Sequence, residues 1–377
     1  MHGLIRRYIG IGSRKFLARG FGLTGVLFLA TFHVGCKRPQ SLNPAFHFDL
    51  RPHGIITARG QGAVSYDQLA FLDNNILLVA INQRTVTSAV SRADVDLPAA
   101  VLLVFDVRQR NLLRTAQRPI EKQDYSLQAL NGGRFAIRSE SGVQVCSVDL
   151  TCRESIPGTT NNGPLLASPS GDTFVVGGYG ETEQVLFGSA PLREVNRFRP
   201  ASQSVLPGND ASTLRFEGNS VYVSETGKPE RTLALSATAG SYVSPSRFLS
   251  DSEIAISESN NTLLVSRLDG SVLYRIAVAP WYQGTSIFPS SGGKRFGIRE
   301  THYTRLNSIV HFTDIDEHRP YDFERIRLFE SASGKLMFET QRDPRPYNNA
   351  LTLPALSPNG RLLATINKGF LEVYEVP

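Results

Sequence analysis

The chain has 377 residues, 41% of them hydrophobic and 20% charged, proportions ordinary for a globular protein with a buried core. Its formal net charge is +6, but five of its cations (Arg6, Arg7, Arg14, Lys15 and Arg19) fall within residues 1–35, which hold no acid. The rest of the chain is therefore nearly neutral, which removes the electrostatic case for a nucleic-acid partner.

Directly after those cations, residues 21–35 read FGLTGVLFLATFHVG, an uncharged and mostly apolar run. A basic segment, a short apolar segment and then small residues is the layout of a secretory signal, so 1–35 is expected to be a signal peptide. About 15 residues is short for a spanning helix, which needs about 20; an uncleaved N-terminal anchor is the alternative. His33-Val34-Gly35-Cys36 resembles a bacterial lipobox. Val34 and Gly35 fit that pattern, whereas His33 stands where a leucine-like residue is usual. The resemblance implies a lipid on Cys36 with 36–43 as a tether, and hence an exported, periplasmic or outer-membrane-associated lipoprotein held at a membrane. Ser13–Arg19 resembles a twin-arginine export signal with an imperfect arginine pair, so both export routes stay open.

From residue 44 onward one grammar repeats: an apolar strand, a tight polar turn, a second apolar strand. The segments are LAFLDNNILLVAIN, SLQALNGGRFAIRS, LLASPSGDTFVVGG, SVLPGNDASTLRF, SRFLSDSEIAISES, TSIFPSSGGKRFGIR and LPALSPNGRLLATIN, with turns near residues 73, 131, 169, 207, 250, 290 and 358. Asn, Asp, Gly, Ser and Pro hold the turns because they tolerate the required dihedrals or cap their own backbone. Each unit continues into two further strand-like runs, such as TLLVSRL and SVLYRIAV, joined at Asp269-Gly270 or Ser333-Gly334. Four strands at a period of about 40–45 residues predict propeller blades. The expected fold of 44–377 is an all-β, seven-bladed propeller with four-stranded blades. Two polar insertions, Gln83–Pro98 and Thr301–Phe323, lengthen the first and last intervals. The last unit ends after three strands, so an N-terminal strand, expected at Gly54–Arg59, completes it and closes the ring.

Cys146 and Cys152 flank a hairpin turn in VQVCSVDLTCRES, where antiparallel neighbours come within disulfide range. An exported protein would keep that bond, leaving Cys36 unpaired and free for lipid.

The SPNG and SPSG turns and the ending FLEVYEV resemble the WD40-like, YVTN and quinoprotein-like propellers of bacterial secreted proteins. The GH…WD signature of true WD40 repeats is absent. The resemblance implies architecture and leaves function open.

In such a ring, blade-to-blade links and second-to-third-strand loops emerge on one face. Trp281 and Tyr282 in APWYQG, Tyr303 and His302 in the second insertion, Tyr347 in DPRPYNN, and Arg299 and Glu300 at a second-strand end are the candidate binding residues on that face. Exposed aromatics beside arginines suit a protein or glycan partner. The alternative is an enzyme, a lactonase- or esterase-like hydrolase of a small ester, lactone or sugar. It would use acids such as Glu140 and Glu300 with Arg138 and Arg299 at the channel mouth, residues equally explained as ion pairs. No GxSxG elbow occurs. The histidines and acids of residues 302–322 lack metal-motif spacing, so neither a metal nor a cofactor is expected, and the chain reads as a monomer.

Overall fold

Seven tight hairpins form where the Asn, Asp, Gly, Ser and Pro clusters stand. In the first, the Asp73 carboxylate accepts from the Asn75 and Ile76 amides at 2.6 and 2.7 Å, closing the turn on its own backbone. In the third, the fifth-residue return is a backbone bond, Thr173 accepting from the Ser168 amide at 2.9 Å. The computed structural model describes residues 43–55, 63–65, 67–81, 83–85, 100–118, 126–139, 142–157, 165–177, 183–198, 205–209, 212–217, 220–225, 227–235, 243–258, 261–279, 285–302, 323–342 and 353–377. Residues 1–35, expected from sequence to be a signal peptide, and Cys36 lie outside the described residues.

Each hairpin supplies the two inner strands of a four-stranded antiparallel blade. Blade 1 is Gln68–Phe71, Ile76–Ile81, Ala100–Asp106 and Asn111–Arg118; blade 2 is Leu127–Leu130, Arg134–Ser139, Gly142–Ser147 and Cys152–Pro157. Blade 3 is Leu165–Ala167, Thr173–Gly177, Gln184–Ser189 and Leu192–Phe198; blade 4 is Val205–Pro207, Thr213–Glu217, Ser220–Ser224 and Arg231–Leu233. Blade 5 is Val243–Phe248, Glu253–Glu258, Thr262–Arg267 and Val272–Ala277; blade 6 is Ser286–Pro289, Arg295–His302, Phe323–Glu330 and Leu336–Arg342. Blade 7 is Ala355–Leu356, Leu362–Asn367, Phe370–Glu375 and, as its outermost strand, Phe46–Asp49. The innermost strands touch in ring order, and that of blade 7 touches that of blade 1. The chain is a seven-bladed β-propeller.

The packing explains the sequence pattern. Middle strands such as ILLVAI of Ile76–Ile81 are apolar throughout because both of their faces are covered by neighbouring blades. Side chains alternate between two seams: Leu77, Val79 and Ile81 join blade 7 residues such as Ile366 and Val373, while Leu78 and Ala80 join blade 2 residues such as Phe135 and Ile137. Outermost strands such as Leu192–Phe198 are mostly exposed and polar. Every one of the seven seams holds such a cluster. Among the described residues that between blades 3 and 4 is the smallest, built on Val175, Leu186 and Val205. Polar bonds supplement it: Thr173 Oγ1 donates to the Gly208 carbonyl at 2.7 Å, and the Ser170 amide and hydroxyl donate to Asn209 Oδ1 at 3.0 and 2.6 Å.

Ring closure by an N-terminal strand holds, but the strand is not Gly54–Arg59. Phe46–Asp49 pairs with Phe370–Val373 instead. Its alternation puts Phe46 and Phe48 on Phe105 of blade 1, with ring centroids 5.9 and 4.8 Å apart, more apolar area than Ile55 and Ile56 offer. Pro52 then sits in a 3-10 turn at Arg51–His53, and Gly54 leaves it at φ +100°, outside the extended backbone of a regular strand. Residues 56–59 lie outside the described residues. The first insertion also begins differently from expectation: Gln83–Thr85 pairs with Ala63–Ser65, prolonging the first hairpin as a separate two-stranded ribbon.

The disulfide is present. Cys146 and Cys152 face each other across the third and fourth strands of blade 2, with Cα atoms 3.9 Å apart. Leu150, inside the loop that the bond closes, accepts a 2.6 Å hydrogen bond from Arg118 of blade 1, so the hairpin also joins two blades.

Candidate functional site

Three of the residues singled out from sequence, Arg299, Glu300 and His302, stand at the end of the second strand of blade 6, Arg299 on one face and Glu300 and His302 on the other. Direct pairing sets Glu300 opposite Arg325, and alternation puts Arg327 on the same face, beyond Phe296 and Ile298 of the seam with blade 5. Glu300 has no solvent exposure. Arg325 donates to it from Nε at 2.8 Å and Nη2 at 3.2 Å, Arg327 from Nε and Nη2 at 3.0 Å each, and the Ala279 amide at 2.6 Å. Ala279 follows the last strand of blade 5, so this carboxylate pins the start of the link carrying Trp281 and Tyr282. Arg327 also donates to the Ala277 carbonyl at 2.7 Å. Burial pulls the Arg327 guanidinium below its ordinary pKa, and the Glu300 charge opposes that shift.

Arg299 points to the opposite face of its strand, toward blade 7, and forms a buried ion pair with Glu324. On blade 5, buried Glu258 takes a 2.7 Å bond from Arg275 Nε, which raises the Arg275 pKa; the Arg275 side chain stays 40% exposed. His302 stacks on Phe323 with centroids 4.4 Å apart. Its Nε2 is buried without a hydrogen-bond partner among the described residues. Desolvation, then the Arg325 charge, push its pKa below the ordinary imidazole value. The rim is thus an alternating run of arginines and carboxylates around one imidazole, its partly exposed members being cationic.

Trp281, Tyr282, Tyr303 and Tyr347, together with Glu140 and the acids and histidines of residues 303–322, lie outside the described residues. Arg138, at the matching position of blade 2, is buried like Arg299. Sequence reasoning missed Glu324, Arg325, Arg327, Glu258 and Arg275. The charges Glu324, Arg325 and Arg327 in FERIRLFE were the available signal, since a middle strand with both faces covered has no reason to carry three charges in four residues unless they are paired.

Along the axis, the innermost strands of all seven blades enclose a channel of about 470 Å³. It runs from strand starts at Leu69, Thr285 and Leu353 to turns at Pro169 and Ser291, and among the described lining residues none is acidic.

No protein-family model matches this sequence, and no curated protein matches it. A solved structure titled "KlHsv2 with loop 6CD replaced by a Gly-Ser linker" is similar over 82% of this chain and 99% of its own, at 11% identity and a TM-score of 0.47. The fold assignment rests on the blade pairing itself.

Proposed function

We propose that this protein is a non-catalytic binding propeller, exported and held at a membrane through Cys36. In this reading it takes a protein or glycan partner on the rim where blades 5 and 6 meet. The saturation of Glu300 carries the reading. A carboxylate offers about four lone-pair positions, and five donors already converge on this one at 2.6–3.2 Å. No position remains for a water or an ester, so the group that a hydrolase would use as a base acts instead as a rivet between two blades. The same rivet fixes the base of the segment bearing Trp281 and Tyr282, and rigid anchorage of an aromatic segment lowers the entropy cost of binding. Arg275 and Arg325 add partly exposed cations beside it, suited to acidic groups on the partner.

Capture from membrane extracts with the full chain, set against Trp281→Ala and Tyr282→Ala, tests the face. Loss of the captured partner in both variants is expected, and undiminished capture refutes it. Mass spectrometry of the mature N-terminus tests the anchor. A diacylglyceryl mass on Cys36 supports it, and a mature chain without that cysteine or its lipid removes it.

A further inference from the structure

Arg247 is the one charged side chain among the described residues lining the axial channel. It comes from the first strand of blade 5, which carries an extra residue. Pro245 pairs with Ile256 and Arg247 with Ala255, leaving Ser246 over as a bulge. Bulges re-aim the side chains beside them. Here the guanidinium reaches blade 6, where Nη1 donates to the Ile287 carbonyl at 3.3 Å. That is its one hydrogen bond among the described residues, and none of their carboxylates pairs with it. A guanidinium has five N–H donors and keeps its charge, so four donors and a full positive charge go unused among the described residues. Desolvation by the surrounding blades lowers the Arg247 pKa, while the side chain stays partly exposed.

We infer that the channel is a binding site for a small organic monocarboxylate, its carboxylate seated on Arg247 and its apolar body along the inner strands. The guanidinium fork matches a carboxylate with two parallel hydrogen bonds. A single cation balances a single negative charge, whereas a phosphate dianion would leave one charge without a counter-charge among the described lining residues. Leu69, Phe71, Leu166, Leu206, Phe288 and Leu353 supply apolar wall. A volume of about 470 Å³ lies within the range of small-molecule sites. The inference stands apart from the rim reading, since none of the described rim residues lines the channel.

Octanoate is a suitable probe. Calorimetric titration of the full chain is expected to show one site, with affinity falling at least about tenfold in Arg247→Gln, the loss of one charge-assisted contact. Octanamide and inorganic phosphate are expected to bind more weakly than octanoate by a similar factor. Ala129→Phe adds bulk at a channel-lining position and is expected to abolish binding, with a thermal melt as the check on the blade 1–2 seam against which Ala129 also packs. Should Arg247→Gln fail to fold, protection of Arg247 from phenylglyoxal by octanoate in the unmodified sequence reads the same contact. No octanoate binding, equal affinity in Arg247→Gln, absence of that protection, equal affinity for octanamide, preference for phosphate, or binding that survives Ala129→Phe each overturns the inference. Trp281→Ala leaves octanoate affinity unchanged, so the failure of one reading leaves the other standing.

Discussion

Phe46→Ala tests whether the propeller is a single cooperative ring. Phe46 is 5% exposed and packs between the last and first blades, against Phe105 and the Leu371 and Val373 strand. Truncating a buried phenylalanine removes its transfer energy and leaves a cavity, together costing about 3–5 kcal/mol. For a domain of this size each kcal/mol moves the melting temperature by roughly 2 °C, so the midpoint should fall by about 6–10 °C. The control is Phe216→Ala, a residue 4% exposed in the seam between blades 4 and 5, on the far side of the ring. Circular dichroism and calorimetry should show one transition in both variants, displaced by similar amounts, because no blade covers its own two faces. A midpoint unmoved by Phe46→Ala, or a second transition appearing in either variant, would refute the closed-ring argument.

Glu300→Gln should destabilise by about 3 kcal/mol, since it leaves two arginines beside a neutral group; urea midpoints at pH 7 measure it. The His302 imidazole should titrate below its ordinary value of about 6.5 in NMR spectra, as burial favours its neutral form. The unfolded chain then takes up the proton first, so this contribution to stability is complete above about pH 6.5 and is lost as pH falls toward the folded pKa; His302→Gln should remove that slope. Reducing the Cys146–Cys152 bond, whose partners are six residues apart, should cost roughly 2 kcal/mol by loop-closure entropy, seen as a lower melting temperature in dithiothreitol.

The hairpins were legible because Asn, Asp, Gly and Pro impose turn geometry locally, and the blades because buried middle strands such as TFVVG are apolar along their whole length. Even the fourth unit forms a blade, although two of its strands have only three residues. The closing strand was misplaced because its identity depends on a partner more than 320 residues away, and FHFD is too short to announce a period. Glu300 and Arg299 were recognisable as a rim pair of residues, but their partners follow from the cross-strand register after a long insertion. Arg247 was invisible for another reason. An arginine in SPSRF reads as a surface residue, and only the bulge at Ser246 turns it to the axis.

The four-residue ladder that closes blade 7 is antiparallel, with Phe46 opposite Val373 and Asp49 opposite Phe370. The chain before Phe46 and the chain after Val373 therefore leave the ladder at the same end. A load drawn between those two points falls on one rung at a time and peels the strand away instead of shearing all rungs together. Mechanical opening of the ring should accordingly begin at this ladder and need little force, however resistant the remaining walls are to heat.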